Sequence, residues 1–319
     1  MPKNILLLET VADEAMQVLK SAKDMNILTG FDEASLEKHI TNGEVDAIIT
    51  RGKGQVRSTL MDSLPNLEVI SRCGLGLDNI DVKAATQRGI KVVNAPNSNA
   101  NTIAEHTISL LLVLQRNLYH AITMVKEDRW LDRGSYVADE LHGKTLGILG
   151  MGNIGKKVAK IADALGMEVM YWSSKKEEVP YSFTDLDTVL ETSDCISLHL
   201  PLTASTENLI DAKALAKMKP SALLVNTARG KIIDQTALTE ALYANRLGGF
   251  AADVLSEEPP APNDPLIKLP NTHITAHVGS LTKTTYDFMC MFTVQNTLAI
   301  LRGEKPAENC IFNRNELKV

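Results

Sequence analysis

Short apolar runs alternate with segments of helical periodicity along almost the whole chain, and this alternation limits the choice of folds more than any other feature. Strands that are connected through helices by short loops form parallel sheets with helices on both faces. A first series of expected strands comprises Ile5–Leu8, Ala47–Thr50, Leu67–Ser71 and Lys91–Val93, with a weaker one around Ile27, and it is interleaved with expected helices at Ala12–Ser21, Glu33–Ile40 and Val82–Arg88. A second series of strands comprises Leu146–Leu149, Glu168–Trp172, Cys195–Leu200, Ala222–Asn226, Phe250–Asp253 and His273–Thr275. The sequence therefore predicts an α/β protein with two doubly wound parallel sheets.

Two segments join these series. Residues 94–101 form a loop rich in Pro and Asn that leads into an expected capping box, Thr102–Glu105, and the helix that follows, to about Arg116, is apolar on most of its circumference. Such a helix must be buried, and we place it at a domain or subunit interface. The second joint, Gly279–Thr285, leads into another apolar helix, which Gly303 is placed to end. We interpret this last helix as returning to the first domain, which is then discontinuous.

Composition argues against several classes of function. The chain has 319 residues, of which 44% are hydrophobic and 23% charged, and its formal net charge is −6. A nucleic-acid partner is not expected, because phosphate backbones are bound by clustered Lys and Arg. The four cysteines are scattered without a CxxC pair, which predicts a reduced, cytoplasmic protein without a thiolate metal site. The longest comparable apolar run, Ile108–Leu114, is far below the roughly 18 residues of a membrane span, and the first residues do not have the pattern of a signal peptide, so no membrane partner is expected.

A glycine-rich loop follows the first strand of the second series. Gly150, Gly152 and Gly155 have the spacing GxGxxG, and the amphipathic helix after them is ended by Gly166. In such a unit the first glycine makes a tight turn, the second lets the backbone approach a pyrophosphate, and the third lets helix and strand pack closely. The helix N-terminus supplies free N–H groups for phosphates. The motif alone is a weak signal, but with a strand before it and a helix after it, a dinucleotide-binding unit is the favoured interpretation.

The loop defines the expected organisation of the whole chain. Six strands with intervening helices are the number that a doubly wound dinucleotide-binding sheet requires. We therefore predict a Rossmann dinucleotide-binding domain, residues 101–284, inserted in a flavodoxin-like substrate domain that comprises residues 1–100 and 285–319.

The residues at the end of the second Rossmann strand indicate which dinucleotide is bound. A carboxylate about 20 residues after the glycines normally accepts hydrogen bonds from the adenosine ribose and repels a 2′-phosphate. Here that position has Ser173, Ser174 and Lys175, whose hydroxyl and ammonium groups can donate to a 2′-phosphate and neutralise part of its charge. The sequence therefore favours NADP(H) over NAD(H). The alternative is that the lysines of this loop are simply solvated and balanced by the glutamates that follow.

Polar residues also lie at the ends of three later strands, where open α/β sheets hold their ligands. They are Arg229, Asp253 with Glu258 five residues later, and His277. Each alone has a common structural explanation, because arginines cap helices, glutamates face water and single histidines are usually structural. Their shared position at strand ends, on the same side of the sheet as the phosphate loop, favours a catalytic set.

These residues also carry a family resemblance over nearly the whole chain, in the right order. The glycine loop, Asn226-Thr-Ala-Arg229-Gly230, Asp253-Val-Leu-Ser-Glu-Glu258-Pro259, His277-Val-Gly-Ser280, Arg72-Cys-Gly74-Leu-Gly76-Leu-Asp78-Asn79 and Ala104-Glu105-His106 together resemble the D-isomer-specific 2-hydroxyacid dehydrogenases. The resemblance implies a catalytic set of Arg229, Glu258 and His277, and homodimers formed through the dinucleotide-binding domain. With the glycine loop and with Ser173, Ser174 and Lys175, where the sequence departs from the acid usual in NAD-using relatives, the expected cofactor-binding set is Gly150, Gly152, Asn153, Ile154, Gly155, Ser173, Ser174, Lys175, Pro201, Thr206, Thr227, Ala228, Asp253 and Gly279. The expected substrate-binding set is Arg51, Leu75, Gly76, Asn99 and Arg229. No metal is implied, because His277 has no ligand partner at a recognisable spacing.

The chemistry of reducing a 2-oxo acid gives each catalytic residue a reason. A histidine that titrates near neutrality suits proton transfer to the carbonyl oxygen, and a carboxylate beside it orients the ring and stabilises its protonated form, which are the roles of His277 and Glu258. An arginine can grip a carboxylate with two hydrogen bonds and polarise the ketone, which fits Arg229. The expected partner is therefore a small anionic 2-oxo or 2-hydroxy acid.

Several readings of the function stay open from sequence. Arg51, Lys53 and Arg72 are candidates for holding a second anionic group, as in the 3-phosphoglycerate dehydrogenases, whereas reductases of glyoxylate or hydroxypyruvate fit the NADP(H) preference better. The resemblance also leaves relatives that oxidise formate or phosphite as a further enzymatic alternative. Glu258 disfavours formate, because an amide is usual there in those enzymes. The alternative from another class is a dinucleotide-sensing, corepressor-like protein without catalysis.

Overall fold

The structure, a computed structural model, describes residues 2–317. They form two compact units, each with its own sheet and its own hydrophobic core. The first unit comprises the chain up to Asn99 together with the chain from Leu281 onward, and the second comprises Ala100–Ser280.

The first unit is built on a five-stranded parallel sheet. Its strands are β1 (Lys3–Leu7), β2 (Met25–Thr29), β3 (Ala47–Thr50), β4 (Val69–Arg72) and β5 (Lys91–Val93), and its first helices are α1 (Asp13–Ser21), α2 (Glu33–Asn42), α3 (Ser58–Asp62) and α4 (Val82–Gln87). The strand order is β2-β1-β3-β4-β5, with Ile5 in register with Ile27 on one side and Ala47 on the other. This is the flavodoxin-like order of doubly wound sheets. All four residues of β3 are buried, as expected of a strand with helices over both faces.

The second unit has a seven-stranded parallel sheet. Its helices are α5 (Ala100–Gln115), α6 (Leu118–Lys126), α7 (Asn153–Ala164), α8 (Leu186–Thr192), α9 (Ala212–Lys217), α10 (Gln235–Tyr243) and α11 (Pro265–Lys268), with 3₁₀ turns at Trp130–Ser135 and Gly230–Ile232. Its strands are β6 (Thr145–Leu149), β7 (Glu168–Trp172), β8 (Ser182–Phe183), β9 (Cys195–Leu198), β10 (Leu223–Asn226), β11 (Gly249–Ala252) and β12 (Thr272–Ile274). The order β12-β11-β10-β9-β6-β7-β8 reverses direction between β6 and β9, which is the switch point where Rossmann sheets bind their ligands.

The last long helix, α12 (Lys283–Leu301), belongs to the first unit and packs against α1 and β4. Its buried residues include Cys290, Val294 and Leu298, which lie in the core that β1 and β3 also line. Gly303 follows with a φ of 71°, a left-handed conformation that ends the helix as predicted.

The prediction of an α/β protein with two doubly wound parallel sheets is confirmed, and its errors lie at the ends of elements. The expectation of six strands in the second sheet is wrong by one. The additional strand, β8, has only two residues, both exposed, so it lacks the apolar run that would predict a strand. The capping box predicted at Thr102–Glu105 is also wrong, because α5 begins at Ala100 and Thr102 already lies in its first turn. The prediction that α5 is buried is confirmed by Ala104, Ile108 and Leu111, which pack into the core of the second unit.

Within residues 2–317, no single helix is both long and apolar enough to span a membrane. The consecutive helices α5 and α6 meet these criteria of length and composition only as a pair, and they are bent by 67° at their junction.

Candidate active site

The glycine loop between β6 and α7 has a shape that fits a pyrophosphate. Gly150 has a φ of 103°, and a Cβ there would lie 2.5 Å from the carbonyl oxygen of His199. A Cβ at Gly155 would lie 2.1 Å from the carbonyl oxygen of Gly150, so only glycine lets α7 pack this closely on the loop. At Gly152, by contrast, a Cβ would meet no described atom within 4 Å. The open side of the loop is therefore at Gly152, where a ligand can approach the backbone.

The N-terminus of α7 is the second part of the predicted phosphate site. Gly152 is its N-cap residue and no side chain caps the helix. The helix begins with Asn153 and Ile154, and its first α-helical hydrogen bond is donated by the N–H of Lys156 to the carbonyl oxygen of Gly152. N–H groups of the first turn that are not capped by side chains form a site for anions.

The end of β7 lies beside this loop, since the N–H of Gly150 donates to the carbonyl oxygen of Trp172 at 2.8 Å. The Ser173 hydroxyl donates to the carbonyl oxygen of Lys175, and Ser174 is exposed. The ammonium of Lys175 lies 3.3 Å from the Glu177 carboxylate, with its side chain 79% exposed. The three residues predicted to bind the adenosine ribose are thus together on one short loop.

The turn after β9 and the loop after β10 place four more predicted cofactor residues. The Thr206 hydroxyl donates to the carbonyl oxygen of Pro201 at 2.7 Å and so closes the turn after β9. The hydroxyls of Thr227 and Thr107 are 2.8 Å apart, and the N–H of Ala228 donates to Asn226 Oδ1. Both segments are fixed by hydrogen bonds at the carboxyl ends of their strands.

The loop that carries Arg229 is stabilised by hydrogen bonds between its own residues. Asn226 is fully buried, and its Nδ2 donates to the carbonyl oxygen of Arg229 at 2.9 Å. Nη1 of Arg229 donates to the carbonyl oxygen of Ala228 at 2.7 Å. A Cβ at Gly230 would lie 1.9 Å from the carbonyl carbon of Leu255, so the loops after β10 and β11 are in close contact. The sequence therefore brings Arg229 next to the segment that carries Glu258.

His277 and Glu258, the predicted acid–base pair, are hydrogen-bonded to each other. Nδ1 of His277 lies 2.7 Å from Oε2 of Glu258, while Oε1 of Glu258 accepts from the N–H of Leu255 at 3.0 Å. No group among residues 2–317 hydrogen-bonds Nε2 of His277, and its side chain is 55% exposed. The hydrogen bond to Glu258 raises the pKa of His277 against an opposing effect of burial. Burial would raise the pKa of Glu258, but the hydrogen bonds from His277 and Leu255 outweigh it and the pKa is lowered.

Asp253 holds the backbone that presents His277. It is 2% exposed, and its carboxylate accepts from the N–H groups of Val278 at 2.9 Å and Gly279 at 2.8 Å and from the Thr275 hydroxyl at 2.5 Å. Burial would raise the pKa of Asp253, but hydrogen bonds from His106, Thr275, Gly279 and Val278 outweigh it and the pKa is lowered. His277 itself has a φ of 53°, a left-handed conformation that these bonds hold in place.

In the first unit, the predicted substrate residues lie on two loops and at the end of the unit's first segment. Arg51 follows β3, with its guanidinium 3.8 Å from Glu9 Oε2 and 5.2 Å from the ring centroid of Tyr286. Leu75 is 38% exposed, and Gly76 follows it, while Asn99 is half-buried. The N–H of Gly74 donates to the carbonyl oxygen of Arg72 at 2.8 Å.

Sequence reasoning missed three residues of this arrangement. His199 follows β9 and bonds Ser197 Oγ through Nε2 at 2.8 Å; burial lowers the pKa of His199 to about 3, so the ring is neutral at pH 7. His106 lies 3.0 Å from Thr275 Oγ1 and 3.5 Å from Asp253 Oδ1. The sequence placed His199 inside the expected strand Cys195–Leu200, whereas β9 ends at Leu198. The contacts of His106 and Thr275 depend on how α5 packs on β12. No group of three or more His, Cys, Asp or Glu side chains within residues 2–317 is arranged to hold a metal ion.

The sequence of the chain matches a known family of dehydrogenases. Residues 108–279 match the family described as D-isomer specific 2-hydroxyacid dehydrogenase, NAD binding domain. The chain is 39% identical over 274 residues to a hydroxypyruvate reductase from Thermotoga maritima, which covers 84% of this chain and 89% of the relative. It is 36% identical over 313 residues to a D-3-phosphoglycerate dehydrogenase from Archaeoglobus fulgidus, which covers 96% of this chain. The protein belongs to the D-isomer-specific 2-hydroxyacid dehydrogenase family.

The lengths of these relatives differ from that of this chain. The chain spans 59% of the length of the Archaeoglobus fulgidus enzyme and 50% of that of a D-3-phosphoglycerate dehydrogenase from Synechocystis.

Solved structures share this fold. A protein of Thermus thermophilus has a TM-score of 0.89 and 35% sequence identity, covering 95% of this chain and 98% of that one. An NADPH-dependent glyoxylate/hydroxypyruvate reductase from Sinorhizobium meliloti, in complex with NADP and malonate, has a TM-score of 0.84 and 28% identity, covering 94% of each chain.

Proposed function

We propose that the protein is an NAD(P)-dependent oxidoreductase that interconverts small 2-oxo and D-2-hydroxy acids and acts mainly as a 2-oxoacid reductase. The observation that carries this proposal is the pair of His277 and Glu258, with Nδ1 engaged at 2.7 Å and Nε2 left for a substrate, beside the loop that presents Arg229. A protein that only senses a dinucleotide has no need of a proton donor.

The chain's own residues divide the work of the reaction. His277 delivers a proton from Nε2 to the carbonyl oxygen of the 2-oxo acid, and Glu258 fixes the ring and stabilises its protonated form. Arg229 binds the carboxylate and polarises the ketone. The glycine loop and the N-terminus of α7 would hold the dinucleotide, which supplies hydride chemistry at C2 when bound. In the first unit, Arg51 and the N–H groups of Leu75 and Gly76 remain our assignment for the anionic part of the substrate.

Glyoxylate and hydroxypyruvate are the substrates we favour over 3-phosphohydroxypyruvate. Reductases of both acids are among the relatives, as are 3-phosphoglycerate dehydrogenases. Part of the charge of Arg51 is offset by Glu9 at 3.8 Å, and its guanidinium lies over the Tyr286 ring, so this cation is less available to a phosphate. This supports a substrate without a second strongly charged group.

For the cofactor, we favour NADP(H) over NAD(H). Ser173, Ser174 and Lys175 present no carboxylate where NAD-specific sheets have one. The preference rests on these residues alone, because solved structures of this fold include complexes with NADP and with NAD.

The proposal is tested by a panel of glyoxylate, hydroxypyruvate, pyruvate and 3-phosphohydroxypyruvate, each with NADPH and with NADH. We expect turnover of at least one small 2-oxo acid, with a lower KM for NADPH than for NADH. Dinucleotide binding without turnover of any of them would instead support the corepressor-like alternative.

The His277→Ala variant separates catalysis from cofactor binding. We expect turnover to fall by about 10²- to 10⁴-fold, the usual contribution of a general acid, with the Kd of the dinucleotide unchanged. A weaker dinucleotide with an unchanged kcat would show that His277 belongs to the cofactor site.

We also infer a homodimer formed through the second unit. The face of α6 made by Leu118, Ile122 and Val125 is exposed, although its spacing is that of a helix stripe that normally packs. Trp130 and Leu131 follow, exposed by 61% and 92%. The cytoplasmic location stays a prediction; the four cysteines are free and buried, which is compatible with it.

A further inference from the structure

We propose that Glu177, together with Lys156, is a specificity-determining residue at the ribose end of the dinucleotide site. Glu177 binds two lysines near this end and so limits the attraction of the site for a 2′-phosphate. The inference rests on the proposed function only in that the glycine loop binds a nicotinamide dinucleotide.

The contacts of one carboxylate define this cluster. Oε2 of Glu177 lies 2.7 Å from Nζ of Lys156, in the first turns of α7, and Oε1 lies 3.3 Å from Nζ of Lys175. The Glu177 side chain is 20% exposed, against 39% for Lys156 and 79% for Lys175. Two cations therefore share one anion that is better shielded from water than either of them.

The cluster lies where the dinucleotide's ribose is expected. Lys156 is on the helix whose N-terminus closes the glycine loop. The carbonyl oxygen of Lys175 accepts from the Ser173 hydroxyl, and Ser173 directly follows the strand that pairs with β6. A 2′-phosphate bound near Ser173 would compete with the Glu177 carboxylate for both ammonium groups.

Glu177 is held in this position through its backbone. The hydroxyl of Tyr171, a fully buried side chain, accepts from the N–H of Glu177 at 2.9 Å and donates to its carbonyl oxygen at 3.2 Å. Because these bonds use only main-chain atoms of Glu177, replacing its side chain leaves them intact. A substitution of Glu177 therefore changes charge without removing the anchor of the loop.

The charges of the cluster predict how removal of the Glu177 carboxylate changes the affinity for a 2′-phosphate. With Glu177 ionised, two ammonium groups and one carboxylate leave a single net positive charge toward a phosphate. Removing the carboxylate leaves two positive charges, which increases the attraction for the 2′-phosphate of NADPH. The ribose hydroxyls of NADH are uncharged, so the affinity for NADH changes little. The wild-type protein is thus tuned to accept both dinucleotides with a limited preference for NADPH.

The test measures equilibrium binding of NADPH, NADH, 2′,5′-ADP and 5′-AMP to the full chain by calorimetry. In Glu177→Gln we expect the Kd values of NADPH and 2′,5′-ADP to fall by about 3- to 5-fold, as for the loss of one partly screened charge, with those of NADH and 5′-AMP nearly unchanged. In Lys156→Met we expect the NADPH Kd to rise. The gain in Glu177→Gln should shrink in high salt, because exposed charges are screened.

The matched control is Glu178→Gln, which removes an exposed neighbouring charge and should leave the NADPH/NADH ratio as in wild type. Equal effects of the two glutamine variants, or equal weakening of NADPH and NADH in Glu177→Gln, would overturn the inference. Because binding is measured without a 2-oxo acid, a shifted ratio in a protein without reductase activity would refute the proposed function and leave this inference standing.

Discussion

The proton chemistry that we assign to His277 depends on a single contact, the 2.7 Å between its Nδ1 and Oε2 of Glu258. The partner raises the pKa of His277, so a larger fraction of the imidazole is protonated at neutral pH than in the free amino acid. Reduction consumes the protonated form, so its rate is highest below this pKa and falls as pH rises through it.

Replacing Glu258 by Gln should therefore move the pH profile. An amide cannot stabilise the imidazolium as a carboxylate does, so the pKa of His277 falls and the decline of kcat/KM for reduction shifts to lower pH. The measurement is the kcat/KM profile between about pH 5 and 9, the range that brackets histidine titration. The control is Glu257→Gln, an exposed neighbour that should leave the profile in place. An unshifted profile in Glu258→Gln would mean that another group supplies the proton.

Arg229 provides a second prediction at this scale. Its backbone is fixed by Asn226 and its Nη1 by the carbonyl oxygen of Ala228, so the rest of the guanidinium fork has a defined direction. A lysine cannot make two parallel hydrogen bonds to a carboxylate. We expect Arg229→Lys to raise the KM of the 2-oxo acid by about 10-fold or more, the loss of one charged hydrogen bond, with the KM of the dinucleotide unchanged. Steady-state kinetics with each ligand varied separately will show whether the effect is confined to the acid.

At the scale of elements, two glycines in the loop between β6 and α7 have different roles, one in folding and one in binding. A Cβ at Gly155 collides with the carbonyl oxygen of Gly150 at 2.1 Å, while a Cβ at Gly152 meets no described atom within 4 Å. The backbone of Gly152, with a φ of −77°, is one that alanine adopts without strain. The two glycines of the same motif thus serve different purposes.

This difference predicts opposite outcomes for two alanine variants. Gly155→Ala should lower the free energy of unfolding by about 1–3 kcal/mol, the usual cost of overpacking, because α7 must move away from the loop. Gly152→Ala should keep the Tm of wild type and raise the dinucleotide Kd, because the new methyl occupies the path of the pyrophosphate. Thermal denaturation and a dinucleotide titration of both variants provide the check. An equal loss of Tm in the two variants would contradict the assignment of Gly152.

The β6–α7 unit was predictable because its signals are local: an apolar run, three glycines at fixed spacing and an amphipathic helix. The start of α5 was not, since Thr102–Glu105 matches a capping box in sequence while the helix begins at Ala100. β8 was missed because its two residues are exposed and their pairing to β7 depends on neighbours in space.

The residues of the candidate site show the same difference between local and tertiary signals. Arg229, Glu258 and His277 were predicted from their positions after strands. The contact of Glu177 with Lys156, 21 residues away, and that of Asp253 with Gly279, 26 away, are set by tertiary structure, so the sequence could not predict them.

In the whole molecule, each of the two units has a parallel sheet and a hydrophobic core of its own. Most of the large apolar side chains that stay exposed belong to the second unit. The α6 face of Leu118, Ile122 and Val125 and the following Trp130 and Leu131 are exposed together within a short stretch of chain. Large exposed apolar patches are rare on monomeric proteins, and a second copy of the chain can cover these side chains symmetrically.

A single charge on this surface should therefore change the oligomeric state. Leu131 is 92% exposed, so Leu131→Asp has almost no side-chain packing within the chain to lose, but in a dimer the carboxylate would be buried without a partner. We expect light scattering to show a dimer for wild type and a shift toward monomer for Leu131→Asp at the same concentration. The control is Tyr243→Asp, which places the same charge at a residue that is 81% exposed on α10 and should leave the dimer intact. A monomeric wild type, or a dimer that persists in Leu131→Asp, would remove this surface as the interface, whereas dissociation in both variants would point to a general effect of charge.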